Sequence, residues 1–424
     1  MNDLIKELAQ GCYLPFDRFI AVFGHHLDLL YKLEKTDQDP LWHAEGHVAK
    51  HTDLVLTQIY KILDQEAKHL PFEQRLSLIL AAAFHDIGKA LVTKLKVIEG
   101  IPRLTATKHE KKGCSYLAYK LLETDLPYPI IQHVLRLVAY HDKPRRLVLQ
   151  NAPKQAYFHL ARLINVELLY YLAKADTLGR TCKDLQNQCD YIELFRLYCE
   201  EYGVWRKDYP YEKWQQFFKD ELAHLPSQSL DAILGYAIQD FEKGLIFTPE
   251  EAIARRYPYL QSFPQLIILC GPSGSGKSTW IENHLKDWHV ISLDQLRQEY
   301  AKKRESQEQN SLILVKAKEL LKKYLRSHQK VVWDATNLKK DFRSMIVQLG
   351  LDYHALVTIV VLHVPESIIY KGNNNREFCI NKKVLQSQLE SLEWIEDDEA
   401  HRVVFVNHTS SPLEFRGACH LKEL

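Results

Sequence analysis

Gly271-Pro-Ser-Gly-Ser-Gly-Lys-Ser278 has the spacing G-x-x-x-x-G-K-S. Small residues let backbone N–H groups turn inward on a phosphate chain, and a following helix adds the positive end of its dipole. Gly271, Ser273, Gly274, Ser275 and Gly276 would form the cradle. Lys277 would reach the β/γ-phosphates, Ser278 would meet Mg²⁺, and Thr279 would continue into the helix. The chemistry is binding of ATP or another nucleoside triphosphate. Transfer of its γ-phosphoryl group needs a base and further cations. Asp294, followed three residues later by Arg297, offers a carboxylate for an attacking hydroxyl and a guanidinium for an acceptor phosphate. Read alone, the pair fits a helix N-cap with an exposed arginine better. Asp334-Ala-Thr-Asn337 can hold Mg²⁺ or its waters, or cap a helix; Arg343 follows it. Arg376, in Asn373-Asn-Asn-Arg376, is a cation that a mobile segment could carry over the phosphates, or part of a solvated loop.

A second chemistry lies upstream. Phe84-His85-Asp86-Ile-Gly-Lys89 sets an imidazole beside a carboxylate in an apolar segment, where a bound metal removes the cost of burying both. His43, His47 and His51 stand four apart, which predicts one helical face. Lys108-His109-Glu110, Tyr140-His141-Asp142 and Lys174-Ala-Asp176 through Arg180 follow. Mixed imidazole and carboxylate donors suit Mn, Fe, Co, Ni or Zn better than Ca. Lys89 can meet a substrate phosphate; Lys143, Arg145 and Arg146 can do the same or form a solvated helix end.

The elements that must position these groups fall into two regimes. Apolar residues recur three or four apart over 54–63, 76–84, 130–140 and 158–172, which predicts helix after helix. From Pro264 onward, short β-rich runs at 266–270, 290–293, 331–333, 357–363 and 403–406 alternate with helical stretches at 311–326, 339–349 and 384–392. That alternation predicts a parallel sheet with crossover helices. The expected organisation is multidomain: an all-α domain over 1–250, a linker at 251–263 and an α/β domain over 264–424. A chain of 424 residues is long enough for two cores. A net charge of +1 means that any basic patch must be local. The eight cysteines (12, 114, 182, 189, 199, 270, 379 and 419) form no C-x-x-C pair and read as reduced thiols in a cytoplasm. No long apolar run points to a membrane, and the first residues lack the apolar core of a signal peptide.

The residues of the second half together resemble the 5′-hydroxyl polynucleotide kinases of the end-healing type. The resemblance covers about 264–407 and rests on the phosphate loop, Asp294-x-x-Arg297, Asp334-Ala-Thr-Asn337 and Arg376 ahead of a helix. It implies Asp294 as the base on a 5′-OH, Arg297 as the clamp on the acceptor's phosphate and Arg376 as the lid residue. That family usually has two or three lid arginines and a Val-Pro; this chain has Arg376 and Ile380-Asn381. The first half resembles the HD phosphohydrolases over about 40–182, through His51…His85-Asp86…Asp176, and looks closest to the HD module of CCA-adding tRNA nucleotidyltransferases. It implies His51, His85, Asp86 and Asp176 as primary metal ligands. His109, His141 and Asp142 would hold a second metal or the scissile phosphate. The combination resembles the bacterial HD-Pnk proteins. That resemblance implies phosphorylation of 5′-OH RNA or DNA ends with ATP and Mg²⁺, and metal-dependent hydrolysis of 2′,3′-cyclic phosphate and 2′/3′-phosphate ends. An RNA ligase is a natural partner for the healed ends. Two other readings remain open from the residues: a small-metabolite kinase fused to an HD nucleotidase, and a nucleotide-sensing regulator.

Overall fold

The computed structural model describes residues 1–207, 209–301, 310–376, 379–409 and 411–418. It divides into two units, Met1–Pro210 and Tyr211–Leu424.

The first unit is built around the helix Phe72–Phe84, whose residues from Leu76 to Phe84 are all buried. Its run Leu-Ser-Leu-Ile-Leu-Ala-Ala-Ala-Phe has no polar face, so it can only be a central helix. The helices Val48–Gln65, Tyr128–Tyr140 and Val166–Leu178 surround it with Val55, Ile59, Leu135, Val138, Leu169 and Leu172 turned inward. The apolar period over 158–172 belongs to two helices, Lys154–Leu163 and Val166–Leu178. Asn165 makes the break, because its side chain accepts from the N–H groups of Glu167 and Leu168 and caps the second helix. The unit is not all helical. Strands β1 (Lys94–Ile98) and β2 (Ile101–Thr105) form an antiparallel hairpin through Glu99-Gly100, both at positive φ.

The second unit holds a six-stranded sheet of β3 (Gln265–Cys270), β4 (His289–Ser292), β5 (Lys330–Asp334), β6 (Leu356–Leu362), β7 (Arg402–Val406) and β8 (Pro412–Gly417). Their order is β4-β5-β3-β6-β7-β8, parallel except for the antiparallel edge strand β8. β8 opens on proline, carries Glu414 and Arg416 and is half exposed, so it lacks the apolar run of a central strand. The carboxyl ends of β3, β4 and β5 lie side by side, and they bear the phosphate loop, Asp294 and Asp334. Ligands of open α/β sheets bind at that edge.

The boundary falls at 210/211, not at 250. The helix Ser227–Glu242 packs on this sheet: Arg402 on β7 reaches Asp231 at 3.2 Å, and the Tyr236 hydroxyl donates to the Ala355 carbonyl at 2.9 Å. The first half of the expected linker belongs to a helix, Pro249–Arg256, capped by Thr248. Seven cysteines are free thiols, and Cys419 lies outside the described residues. Among the described residues no helix is long and apolar enough to cross a membrane.

Candidate metal centre and phosphate-binding loop

His85 ends the central helix and Asp86 follows it. The next turn runs against the start of the helix His109–Lys120. A Cβ on Gly88 would stand 2.0 Å from the His109 carbonyl oxygen, so only glycine lets the two backbones meet. That approach brings His109 Nε2 to 3.1 Å from Asp86 Oδ1. On the other side, His51 Nε2 lies 3.0 Å from Asp176 Oδ1, and His85 Nε2 lies 3.3 Å from Asp86 Oδ2. Three groups of donors result among the described residues, His43/Glu45/His51, His51/His85/Asp176 and Asp86/His109/His141, each with ligand atoms within 4.8 Å of one another. Asp86 links the last two, with Oδ2 toward His85 and Oδ1 toward His109.

The ring orientations fit a cation. His85, His109 and His141 each direct Nδ1 at the carbonyl three residues earlier (Ala82, Ala106, Val138) at 2.8–2.9 Å. A carbonyl only accepts, so the proton sits on Nδ1 and Nε2 presents its lone pair inward. The His109 and His141 Nε2 atoms are 3.2 Å apart. Two lone pairs facing each other this way repel, and a divalent ion bound between them would turn that repulsion into ligation. His85 Nε2 is buried with no hydrogen-bond partner. Burial, then the neighbouring His109 and His85, pushes His141 down to about 4, so it is neutral at pH 7 as a ligand must be. Burial alone would raise the Asp86 carboxyl. The charge of Lys89 outweighs it and holds Asp86 well below the usual carboxylate range.

Lys89 Nζ lies 2.6 Å from Asp86 Oδ2 and donates to Gln38 Oε1. Arg180 pairs with Asp176. Asp142 lines the same cavity of about 350 Å³ but stands outside the three convergent groups, and its Oδ2 accepts from Arg146. Of the basic cluster after it, Arg145 lines the cavity as well. The single helical face expected for His43, His47 and His51 does not form, because the helix begins at Val48. His47 is its N-cap, accepting from the Lys50 N–H, and His43 lies in the preceding turn. His43 still meets His51, through a residue sequence reasoning missed. Glu45 Oε1 is 2.8 Å from His43 Nδ1 and 2.9 Å from His51 Nδ1, and so orients the ring whose Nε2 faces Asp176. The signal was present as a carboxylate between two histidines in His43-Ala-Glu-Gly-His47.

In the second unit Gly271 follows β3 directly. Gly274 is at φ +84°, with space for a Cβ closed off by the Ile369 carbonyl at 2.6 Å, and Gly276 caps the helix Lys277–His284. The Asp334-Ala-Thr-Asn337 loop pins this segment. Gly271 N–H donates to the Thr336 carbonyl, and buried Asn337 Nδ2 donates to the Leu269 carbonyl at 2.6 Å. Lys277 Nζ donates to the Gly271 and Pro272 carbonyls at 2.9 and 2.8 Å. Burial lowers its pKa, while Asp334 and Asp294 pull upward and Arg376 downward. All three charged groups therefore lie within electrostatic reach of the loop lysine. Arg297 Nη1 is 2.5 Å from Asp294 Oδ1. Ser278 and Thr279 are exposed on the first turn, and the Ser273 N–H donates to Gln388 on the helix Lys382–Ser391. The helix Glu366–Asn374 lies on the loop, where a Cβ on Gly372 would meet the Gly274 carbonyl at 2.2 Å. Asn373 then exchanges hydrogen bonds with the Ile380 backbone and so ties the two ends of the segment carrying Arg376. Arg343 is fully buried, donating two hydrogen bonds to the Glu399 carboxylate at 2.6 and 2.8 Å and others to the Asn337 and Leu338 carbonyls.

Comparison with known proteins agrees with this division. Residues 48–178 match the family model of the HD domain, and residues 266–395 match that of an AAA domain. The chain thus joins a helical HD domain to an α/β P-loop domain with a mostly parallel sheet. Among solved structures it is similar to a gluconokinase from Sinorhizobium meliloti 1021, with 21% identity over 35% of this chain and 84% of that one and a TM-score of 0.25. At that score the likeness bears on neither fold detail nor activity. Among curated proteins none matches.

Proposed function

We propose that the chain heals broken nucleic-acid ends in the manner of the HD-Pnk proteins, with one active site in each unit. At the P-loop, Lys277 holds the β/γ-phosphates of ATP and the Ser278 hydroxyl serves Mg²⁺. Asp294 accepts the proton of a 5′-hydroxyl as that oxygen attacks the γ-phosphorus. The bond to the bridging oxygen breaks and ADP leaves. Arg297 clamps the acceptor's own phosphate bidentately and Arg376 balances the charge spread over the transferred group. At the HD centre, His51, His85 and Asp176 would hold one divalent cation and His109 and His141 another, with Asp86 shared between them. A cation bound there lowers the pKa of water and polarises the phosphoryl oxygen. Lys89 and Arg180 offset the charge of the carboxylates and face the phosphate. Water adds to phosphorus, the P–O bond of a 2′,3′-cyclic phosphate opens, and a second hydrolysis releases phosphate.

What supports this reading above all is the phosphate loop on β3 with Asp334 and the Asp294–Arg297 pair at the carboxyl ends of the neighbouring strands, in a chain that also carries the His/Asp cluster. The test supplies an RNA ending in a 2′,3′-cyclic phosphate and a 5′-OH, and maps both ends with and without ATP. Repair of the cyclic end in either case, and of the 5′ end only with ATP, is the expected result. Transfer from ATP to nucleosides or sugars but not to the RNA would make the protein a metabolite kinase. No turnover at either end would favour a nucleotide-sensing regulator.

A further inference from the structure

The β1–β2 hairpin has no role in the two sites, yet it grows from the wall of the metal cavity. Thr93 before β1 and Leu104, Thr105 and Ala106 at the end of β2 all line that cavity. Asp39, another lining residue, fastens it by accepting from Arg103 Nη1 at 3.1 Å and from the Leu104 N–H at 3.2 Å. The pairing sorts its side chains by face. Lys94 lies opposite Thr105, Lys96 opposite Arg103 and Ile98 opposite Ile101, and these six share one face. Leu95, Leu104, Val97 and Pro102 share the other.

Like charges directly opposite on a ribbon are destabilising, and a two-stranded hairpin is marginal even without them. Here Lys96 faces Arg103 with Lys94 beside them, and β1 is exposed along its whole length. Among the described residues no carboxylate lies within ion-pair reach of Lys94 or Lys96. A ribbon of this kind suits an external polyanion. Lys94 and Lys96 stand about 7 Å apart along the strand, on the scale of successive phosphates in a stretched single strand. Thr105, on the same face, leads that row into the cavity.

We propose that this hairpin is a cationic ribbon that receives the RNA strand leading to the terminal phosphate in the metal cavity. The inference rests on the end-healing reading and adds to it: the HD centre selects polynucleotide ends over mononucleotides. Ile98 and Ile101 extend the ribbon's face with apolar area at the tip, half exposed and placed where an unstacked base would rest.

The test compares the full-length protein with its Lys94→Ala/Lys96→Ala variant, in Mn²⁺, on a short RNA ending in 2′,3′-cyclic phosphate and on adenosine 2′,3′-cyclic phosphate. Both lysines are exposed, so folding is preserved. For the RNA, kcat/KM falls about tenfold through KM, and the slope of its logarithm against log salt becomes shallower by about 1.4. Hydrolysis of the mononucleotide is unchanged. Loss on both substrates alike, or on neither, overturns the proposal. A wild-type protein that hydrolyses only the mononucleotide, or neither substrate, refutes the end-healing reading. The ribbon is then judged by binding of an RNA with a 3′-phosphate and a fluorescein-blocked 5′ end, in chelator. Weaker binding by the variant upholds the ribbon, whereas equal affinities would assign the hairpin to a protein partner and overturn it.

Discussion

Replacing Gly88 by alanine tests whether the metal centre depends on one backbone contact. The added Cβ would stand 2.0 Å from the His109 carbonyl oxygen and 2.6 Å from the Gly113 nitrogen. Real Cβ contacts do not fall under 3.0 Å, so the backbones must part by 3.0 − 2.0, about 1 Å. Both neighbours are backbone atoms and cannot rotate away. His109 Nε2, now 3.1 Å from Asp86 Oδ1, would move to roughly 4 Å. A misplacement of that size costs on the order of 100-fold in rate, and the overpacking itself costs about 1–3 kcal/mol of stability. The assay is Mn²⁺-dependent hydrolysis of bis-p-nitrophenyl phosphate, with transfer from ATP as internal standard because the P-loop lies in the other unit. The expected outcome is a drop of about 100-fold in hydrolysis, weaker metal binding and unchanged kinase turnover. Full hydrolysis by the alanine variant, with metal affinity intact, would refute the argument that this contact sets the distance from His109 to Asp86.

Asp294→Ala should lower phosphoryl transfer by about 10²–10⁴-fold while ATP affinity, read by calorimetry, stays the same; retained turnover would remove Asp294 as the base. Glu45→Gln should weaken metal binding by about 10–100-fold in a metal titration, since the carboxylate stands 2.9 Å from His51 Nδ1 and orients that ring. Unchanged affinity would leave Glu45 a packing residue. Arg343→Leu leaves Glu399 buried without its partner and should cost about 3–5 kcal/mol in the unfolding of the second unit. A cost below about 1 kcal/mol would mean that Glu399 finds water or another donor.

Residues that carry chemistry were the legible part of this chain. The phosphate loop, His85-Asp86 and Asp294-x-x-Arg297 are short words whose residue types make sense only together; the structure puts the loop and Asp294 at neighbouring ends of one sheet and His85 and Asp86 in the His/Asp cluster. Glu45 was harder. It acts through His51 rather than on a ligand, and a glutamate in a polar turn looks like any solvated one until the two histidines are seen on either side of it. The hairpin was harder still. Lys94-Leu-Lys-Val-Ile and Ile-Pro-Arg-Leu-Thr105 alternate as strands do, but they stand between helices and pack on no core, so no apolar run announces them. β8 does pack, through Phe415, but its proline start, Glu414 and Arg416 leave no apolar run to announce it.

The domain boundary failed for a different physical reason. Helical periodicity tells which face of a helix is buried, but not which partner buries it. Ser227–Glu242 has nearly every residue buried, as a helix inside the first unit would have. What assigns it to the second unit is a set of long-range pairs: Asp231 with Arg402, the Tyr236 hydroxyl with the Ala355 carbonyl, and Gly235, where a Cβ would meet the His401 ring at 2.7 Å. Each pair links residues more than a hundred positions apart. Asp231 and Arg402 are also informative in retrospect. A carboxylate buried on an otherwise apolar helix demands a cation, and this cation stands on β7 beside Thr358, deep in the sheet. The composition shift at Pro264 therefore marks where the sheet begins. The folding unit begins some fifty residues earlier, at the helices that cover the sheet's face.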